Sequence, residues 1–485
     1  MTEIPVTRDK SRDKVKQLLH ILKDDIKTKG LSTAKKRETL DSLKSHIISA
    51  EVASLFTQDD VKTLCVFALE EPDENRESSL VALKCLANLL LLEPKSRQYL
   101  VNEGYAPAVA KRLRGSLEDE LLCSRILFLL TYETTFNFED LFNNASLASS
   151  IQENIIAHTS HYVRSKDEQH QNGQSKNGGQ QAAPRPAAIV ETLKLLFNLN
   201  QFYPNHVQDF SPVIAPILEI LRTIEVQVSV LQQPVTALIN SLLSLDLPGS
   251  MSSESQESKE VSALFPQPAH LNCLCLINIL DASIQSSKED DLDSLVPLLT
   301  LLRRVYELAP TTAKEYMQEQ LLPSSTERAQ PLGKTNSLPS RLLRLSTAPT
   351  SPRLKEGVSS FLFELSDKDA GIFVRNVGYG FAAGYLMTHN LPIPHNVSGD
   401  THESVITVDG QEINPITGQR RDMEPEDPLP AMTDEEKERE AERLFVLFER
   451  LRATGVMNVV NPVEQAINEG RFEEVDEEKS DKDVD

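Results

Sequence analysis

Three sets of residues in this chain have types and spacings that could engage a ligand. The first is Gly378-x-Gly380-x-x-x-Gly384, where close glycines could bring backbone N–H groups to a phosphate. That spacing misses the dinucleotide fingerprint by one residue, and no β-branched run precedes it to supply the strand such a loop must follow. A tight helix-to-helix corner at Gly378 is the better reading. The second set is the histidines and cysteines. His158 and His161 lack a carboxylate at metal-site spacing, and Cys273 and Cys275, two apart, point to different faces of a helix. Cys65, Cys85 and Cys123 are scattered through apolar patterns and read as buried side chains. There is no Gly-x-Ser-x-Gly, no His-Glu-x-x-His and no P-loop, so neither covalent catalysis nor a cofactor is expected. The third set is a series of asparagines at a fixed helical phase. Lys84 and Lys194 lie one turn before Asn88 and Asn198, with Arg125 between them in sequence. Amides of this kind donate to and accept from a bound backbone, and the cations suit carboxylates, which is the chemistry of protein recognition.

The elements that carry the third set repeat. The pattern apolar, x, x, apolar, x, polar ends on Ser45, Asn88, Thr131, Asn198, Asn240 and Asn278, at intervals of 43, 43, 67, 42 and 38 residues. The long interval contains 165–187, a stretch of Gln, Asn, Gly, Ser and Pro that buries too little apolar surface to order itself. Glu364 falls two further periods beyond Asn278, and the corner itself recurs, with Asn102, Gly104, Tyr105 and Ala108 matching Asn376, Gly378, Tyr379 and Ala382. A helical period near 43 residues is the armadillo or HEAT range. The expectation is an all-α, armadillo/HEAT-like solenoid over 1–387, interrupted by disordered inserts at about 165–187, 250–259 and 323–352. Its shared groove would be lined by Lys84, Asn88, Arg125, Asn198 and Asn240. An asparagine within a helix can also cap, face solvent or bond locally, and a lysine can simply be solvated.

A formal charge of −22 argues against general affinity for nucleic acid or anionic lipid. The charged start and the lack of a long apolar run predict a cytoplasmic protein without membrane insertion. Beyond Leu386 the composition changes. Prolines from Pro392 to Pro430 predict an extended arm over 388–432, containing the turn signal Asn414-Pro415-Ile416-Thr417-Gly418. Thr433 and Glu436 form a capping-box pattern that opens an amphipathic helix over 433–453, with Leu444, Phe445 and Phe448 on its stripe. That stripe either folds back on the solenoid or meets a partner. An acidic, largely disordered tail, 454–485, is expected after it.

The Val377-Gly-Tyr-Gly-Phe-Ala-Ala-Gly-Tyr-Leu386 corner, Ile413-Asn-Pro-Ile-Thr-Gly418 and the Met432-Thr-Asp-Glu-Glu-Lys437 helix start together resemble the synembryn family. The resemblance is most specific over about 370–452. It implies a cytosolic solenoid that serves heterotrimeric G-protein α subunits as guanine nucleotide exchange factor and folding chaperone. It further implies that the solenoid groove captures the C-terminal helix of the α subunit. The arm, through Asn414, Pro415, Gly418, Leu444, Phe445 and Phe448, would clasp the GTPase domain. The partner would be GDP-bound or nucleotide-free, the protein a monomer, and any membrane recruitment would come through the α subunit. Animal members of the family carry a dense acidic Ser/Thr cluster before the Asn-Pro-x-Thr-Gly turn. Here the acidic context around Ser398, Thr401 and Ser404 is thin, and Thr433 fits an acidophilic kinase as well as it fits a helix cap. The rival reading is a generic armadillo adaptor, but such a protein would use paired Trp and Asn ladders and this chain has no Trp.

Overall fold

The computed structural model of the protein describes residues 5–70, 75–172, 185–224, 231–247, 263–286, 289–349, 351–392, 407–408, 410–424 and a few positions between 433 and 446. Among them the chain forms twenty α-helices. The first ten are α1 (Pro5–Thr28), α2 (Thr33–His46), α3 (Ala50–Ala53), α4 (Gln58–Cys65), α5 (Arg76–Leu92), α6 (Pro94–Asn102), α7 (Ala106–Arg112), α8 (Leu117–Leu130), α9 (Glu139–Ala145) and α10 (Leu147–Asn172). Next come α11 (Arg185–Phe202), α12 (Ile214–Thr223), α13 (Val235–Ser244), α14 (Leu271–Ser286), α15 (Val296–Leu308) and α16 (Thr311–Leu321). The last are α17 (Leu338–Ser346), α18 (Pro352–Leu365), α19 (Ala370–Val377) and α20 (Tyr379–Thr388).

The protein is an all-α helical-repeat solenoid built in two layers. Helices α2, α5, α8, α11, α13, α15 and α18 each pack on the next and make a ladder. Helices α1, α4, α10, α12, α14 and α16 form the layer behind it, with α6, α7 and α9 filling the interval between α4 and α10. Each helix alone would leave an apolar stripe in water, and stacking joins the stripes into one buried cluster running from Val15 to Leu386. Polar starts set the phase locally: Thr57 with Asp60, and Ser116 with Asp119, form reciprocal capping boxes that open α4 and α8. The five cysteines are free thiols inside this packing, and burial pushes Cys85 and Cys273 up to about 12 and Cys275 up to about 11.

The positions Ser45, Asn88, Asn198 and Asn240 lie on ladder helices, and Thr131 is the C-cap of α8. Asn278 does not. It sits on α14 in the rear layer, and the ladder resumes at α15, where Leu298-x-x-Leu301-x-Arg303 repeats the same pattern. Arg303 approaches Glu364 of α18 at 3.7 Å, so Glu364 belongs to the ladder as its phase implied. Of the three expected inserts, 250–259 and 173–184 lie outside the described residues, and 165–172 continue α10. The segment 323–352 is not the disordered loop its composition suggested. It contains a 3₁₀ turn, Glu327–Ala329, and the whole of α17, because its serines and prolines act as helix starts.

At the junction of α9 with the 3₁₀ segment Pro204–Val213, His206 lies flat on Phe142, with ring centroids 3.9 Å apart. Its Nδ1 is 2.7 Å from Asp209 and its Nε2 is 2.8 Å from Glu139. Partial burial alone would lower its pKa, but hydrogen bonds and charge from Glu139 and Asp209 outweigh that and raise it above 6.5. A raised folded-state pKa means that the native state holds the proton more tightly. The stabilisation is therefore complete below about pH 6.5 and is lost as pH rises through the folded value. His206→Gln is expected to lower stability by about 1 kcal/mol at pH 5.5 and by progressively less above neutrality. Urea titrations of both proteins across that range check this; a pH-independent difference would contradict it.

The chain divides into two units, Met1–Asp422 and Met423–Asp485. In the second, Thr433 and Glu436 form the expected capping box: the Thr433 N–H donates to Glu436 Oε2 at 3.0 Å and the Glu436 N–H to Thr433 Oγ1 at 3.3 Å.

Candidate functional site

On the ladder face, Lys84, Asn88 and Leu91 share one side of α5, and Lys194, Asn198 and Phe202 share one side of α11. Between them α8 presents Arg125 and Phe128, with Tyr132 just beyond its end. Each cation has a carboxylate partner, two of them on a neighbouring helix. Lys84 Nζ reaches Glu118 of α8 at 2.9 Å, while Arg125 and Lys194 both reach Glu191 of α11 at 3.1 Å. Three cations face two carboxylates, so the basic end expected from sequence is largely neutralised and retains one net positive charge. Asn198 is 5% exposed and its Nδ2 donates to Thr131 Oγ1 at 2.8 Å, joining α11 to α8 rather than facing a groove. Asn88 and Asn240 are partly exposed.

The sequence reading missed the other end of this face. Leu91, Tyr132 and Phe202 are 58%, 39% and 53% exposed at the C-terminal ends of three successive ladder helices. Tyr132 meets Phe202 edge-on at 6.3 Å and Phe128 at 5.3 Å. The face thus changes over about two helical turns from charged to apolar. Its signal in the sequence was present, because these residues stand one to four positions beyond the repeating polar position.

The arm candidates Asn414, Pro415 and Gly418 are brought together, but onto the solenoid itself. Instead of running extended, the described part of the arm folds back twice: Thr407–Val408 pair antiparallel with Gln411–Glu412, and Ile413 bridges to Arg420 across a second turn. The tip of this second turn is an Asx turn, in which Asn414 Oδ1 accepts from the N–H groups of Ile416 at 2.9 Å and Thr417 at 3.3 Å. The Gly418 N–H closes the turn onto Asn414 O at 2.8 Å. This tip docks against the α19–α20 corner. Gly378, at φ +79°, ends α19, and the first two N–H groups of α20, on Tyr379 and Gly380, donate to Pro415 O at 2.8 Å and Ile416 O at 3.0 Å. These are helix N-terminal donors that have no partner inside the helix.

The opposite helix end is completed by Arg328, which is 2% exposed. Its Nη2 donates to the α19 carbonyls of Arg375 at 3.2 Å and Asn376 at 2.9 Å, and its Nη1 to Gly418 O at 2.9 Å. A cation at a helix C-terminus is favourable there. Main-chain bonds from Leu332 N to Thr417 O, 3.1 Å, and from Arg420 N to Arg328 O, 2.8 Å, complete the clip. Ile416 remains 58% exposed at its tip. Leu444, Phe445, Phe448, Ser398, Thr401 and Ser404 lie outside the described residues. Thr433 is exposed.

This pairing of a glycine corner with a turn some thirty-five residues downstream sits inside a region, residues 10–471, that matches the family model described as guanine nucleotide exchange factor synembryn. The chain belongs to the synembryn family. Among its relatives, a synembryn-like chaperone of Schizosaccharomyces pombe is 32% identical over 193 residues, 37% of this chain and 35% of that one. Chaperone Ric-8 of Drosophila pseudoobscura pseudoobscura is 23% identical over 429 residues, 80% of this chain and 72% of the relative. Chaperone Ric-8A of Xenopus tropicalis is 30% identical over 192 residues, 38% of this chain and 34% of the relative. The alignments with the yeast and frog synembryns therefore span about a third of those proteins. Among the described residues, no helix is long and apolar enough to cross a membrane and no cluster of ligating side chains could hold a metal ion.

Proposed function

We infer that this protein is a folding chaperone and guanine nucleotide exchange factor for heterotrimeric G-protein α subunits, acting by binding without covalent chemistry. The observation that carries the reading is the family match across 10–471, which takes in both the ladder and the docked arm. The ladder face receives the C-terminal helix of the α subunit. That helix sets its apolar side on Leu91, Tyr132 and Phe202 and turns its terminal carboxylate toward Lys84, Arg125 and Lys194. The segment beyond the clip, with Leu444, Phe445 and Phe448, reaches the GTPase domain. By holding the nucleotide-free conformation more tightly than the GDP-bound one, the protein speeds GDP loss, and linkage requires that GTP weaken the complex in return. The same preference stabilises a newly made α subunit before it has nucleotide.

GDP release from purified α subunits of different classes tests this, using the full chain and a chain ending at Glu424. A cut near Leu386 would strip α20 of its carbonyl partners, whereas a cut at Glu424 keeps the clip and removes only the distal residues. Acceleration by the full chain that falls on truncation supports exchange through the distal segment. Binding of nucleotide-free α subunit without acceleration would leave the chaperone and remove exchange. Absence of binding would leave the adaptor reading. For the ladder face, Tyr132→Ser and Phe202→Ser are each expected to weaken binding of a peptide copy of the α subunit's C-terminal helix about tenfold, as loss of an aromatic anchor does. Titration by fluorescence anisotropy checks this, and unchanged affinity would move the contact elsewhere.

A further inference from the structure

The segment 323–352 contains an arrangement that the arm clip does not require. The carboxylate of Glu327 is met by hydroxyls from both sides of its loop. Thr335 Oγ1 donates to it at 3.2 Å, Ser340 Oγ at 3.3 Å and Ser337 Oγ more closely still, while the Ser324 N–H donates to its other oxygen at 3.0 Å. Ser337 is also the N-cap of α17: its Oγ accepts from the Ser340 N–H at 3.3 Å. Two guanidinium groups bind the same loop, Arg344 to the carbonyls of Gly333 and Thr335 at 2.7 Å and Arg341 to that of Asn336 at 2.6 Å. An internal carboxylate thus occupies a seat formed by hydroxyls at the start of α17, on a loop whose carbonyls are held by two arginines, one of which, Arg341, also pairs with Asp281. The next residue is Arg328, which holds the arm turn.

We propose that Ser337 is a phosphorylation site through which a serine/threonine kinase releases the arm from the solenoid. In the transfer, Ser337 Oγ bonds to the γ-phosphorus of ATP, the bond to the bridging oxygen breaks, ADP leaves and the hydroxyl proton passes to the kinase's base. The seat then changes in two ways. The esterified oxygen has no proton to donate to Glu327, and a phosphate of nearly two negative charges now stands beside that carboxylate. The phosphate is favoured by the start of α17 and by the nearby guanidinium of Arg344, which holds the carbonyls of the same loop. Glu327 is expelled, and Arg328, its neighbour in the same 3₁₀ turn, is drawn from Gly418, Arg375 and Asn376 with it. Ser337 is partly exposed, and its neighbours Lys334 and Asn336 are exposed, so the loop presents it at the surface.

The test is amide hydrogen exchange on the full chain carrying phosphoserine at 337, installed during synthesis by codon suppression. The amides of Tyr379 and Gly380, whose acceptors belong to the arm, are expected to exchange at least tenfold faster, while amides of α5 and α8 are unchanged. In Glu327→Gln the same amides should already exchange faster, and phosphoserine should add little. Thr347→Glu, an exposed change at the far end of α17, should have no effect. Rates at Tyr379 and Gly380 within twofold of the unmodified protein would overturn the proposal, as would an equal effect from Thr347→Glu. Hydrogen exchange reads the clip itself, whatever partner the arm meets.

Discussion

Arg328→Met is expected to loosen the end of the solenoid by about 3 kcal/mol. The methionine fills much of the volume but leaves the carbonyls of Gly418, Arg375 and Asn376 without their donor in a buried place. Hydrogen bonds to a charged group contribute about 1.5–3 kcal/mol each, and the losses overlap because one side chain makes all three. A solenoid can open locally, so global melting is a poor reporter and exchange at the Tyr379 and Gly380 amides is a direct one. The expected change is roughly a hundredfold faster exchange there, since every 1.4 kcal/mol is about tenfold. Rates within threefold of the unaltered protein would show that the corner holds the arm without this guanidinium. Arg328→Lys should recover only part of the effect, because one ammonium cannot serve three carbonyls spread over two segments.

Gly378→Ala should be comparably damaging, and Gly104→Ala supplies its internal control. The two glycines share a positive φ, +79° and +76°, and Gly378 combines it with ψ 149°, a backbone essentially confined to glycine. The positive φ alone costs an alanine about 1 kcal/mol at either site. They differ in what a methyl group would meet. At Gly104 there is nothing within 4 Å, whereas at Gly378 it would lie 3.0 Å from Ile416 O, 3.1 Å from Gly418 N and 3.3 Å from Thr417 C. All three are backbone atoms of the docked turn, and they cannot swing aside as a side chain could. The turn must retreat, taking with it the carbonyls that hold Tyr379 and Gly380. Gly378→Ala is expected to destabilise the corner by about 3 kcal/mol and Gly104→Ala by about 1 kcal/mol. Exchange at the two corners checks the difference. Equal effects would mean that the arm turn contributes nothing to the corner.

The contrast between these glycines shows how far the sequence could be read. Repetition of Asn-x-Gly-Tyr located both corners, and the apolar pattern located five successive ladder helices, because burying one helical stripe against the next leaves a regular trace. The pattern failed at Asn278 because any amphipathic helix can satisfy apolar-x-x-apolar-x-polar. The ladder's real continuation, at Arg303, lay beyond an interval lengthened between α13 and α15. The segment 323–352 was misread for a related reason: Ser and Pro in bulk signify loops, but Ser337 and Ser351 are N-caps and Pro339 and Pro352 lie in first turns, where these residues promote helices. The clip was half legible. Each of its two motifs stood out, but that one docks on the other depends on Arg328, a buried cation whose bond to Gly418 spans ninety residues of chain and leaves no periodic trace. Likewise, Arg125 and Lys194 share Glu191 and Lys84 pairs with Glu118, so the three cations of the groove set retain one net positive charge, which counting lysines alone overstates.

The clip also has a consequence for the order in which the chain is made. Tyr379 and Gly380 leave the ribosome thirty-six residues ahead of Pro415 and Ile416, whose carbonyls they require. At about 5–20 residues per second, roughly two to seven seconds of synthesis separate the donors from their acceptors. Every earlier repeat can close as its own helices emerge, but the last one must wait with two amides bare. A translation product that stops short of residue 413 keeps that end open for as long as it exists.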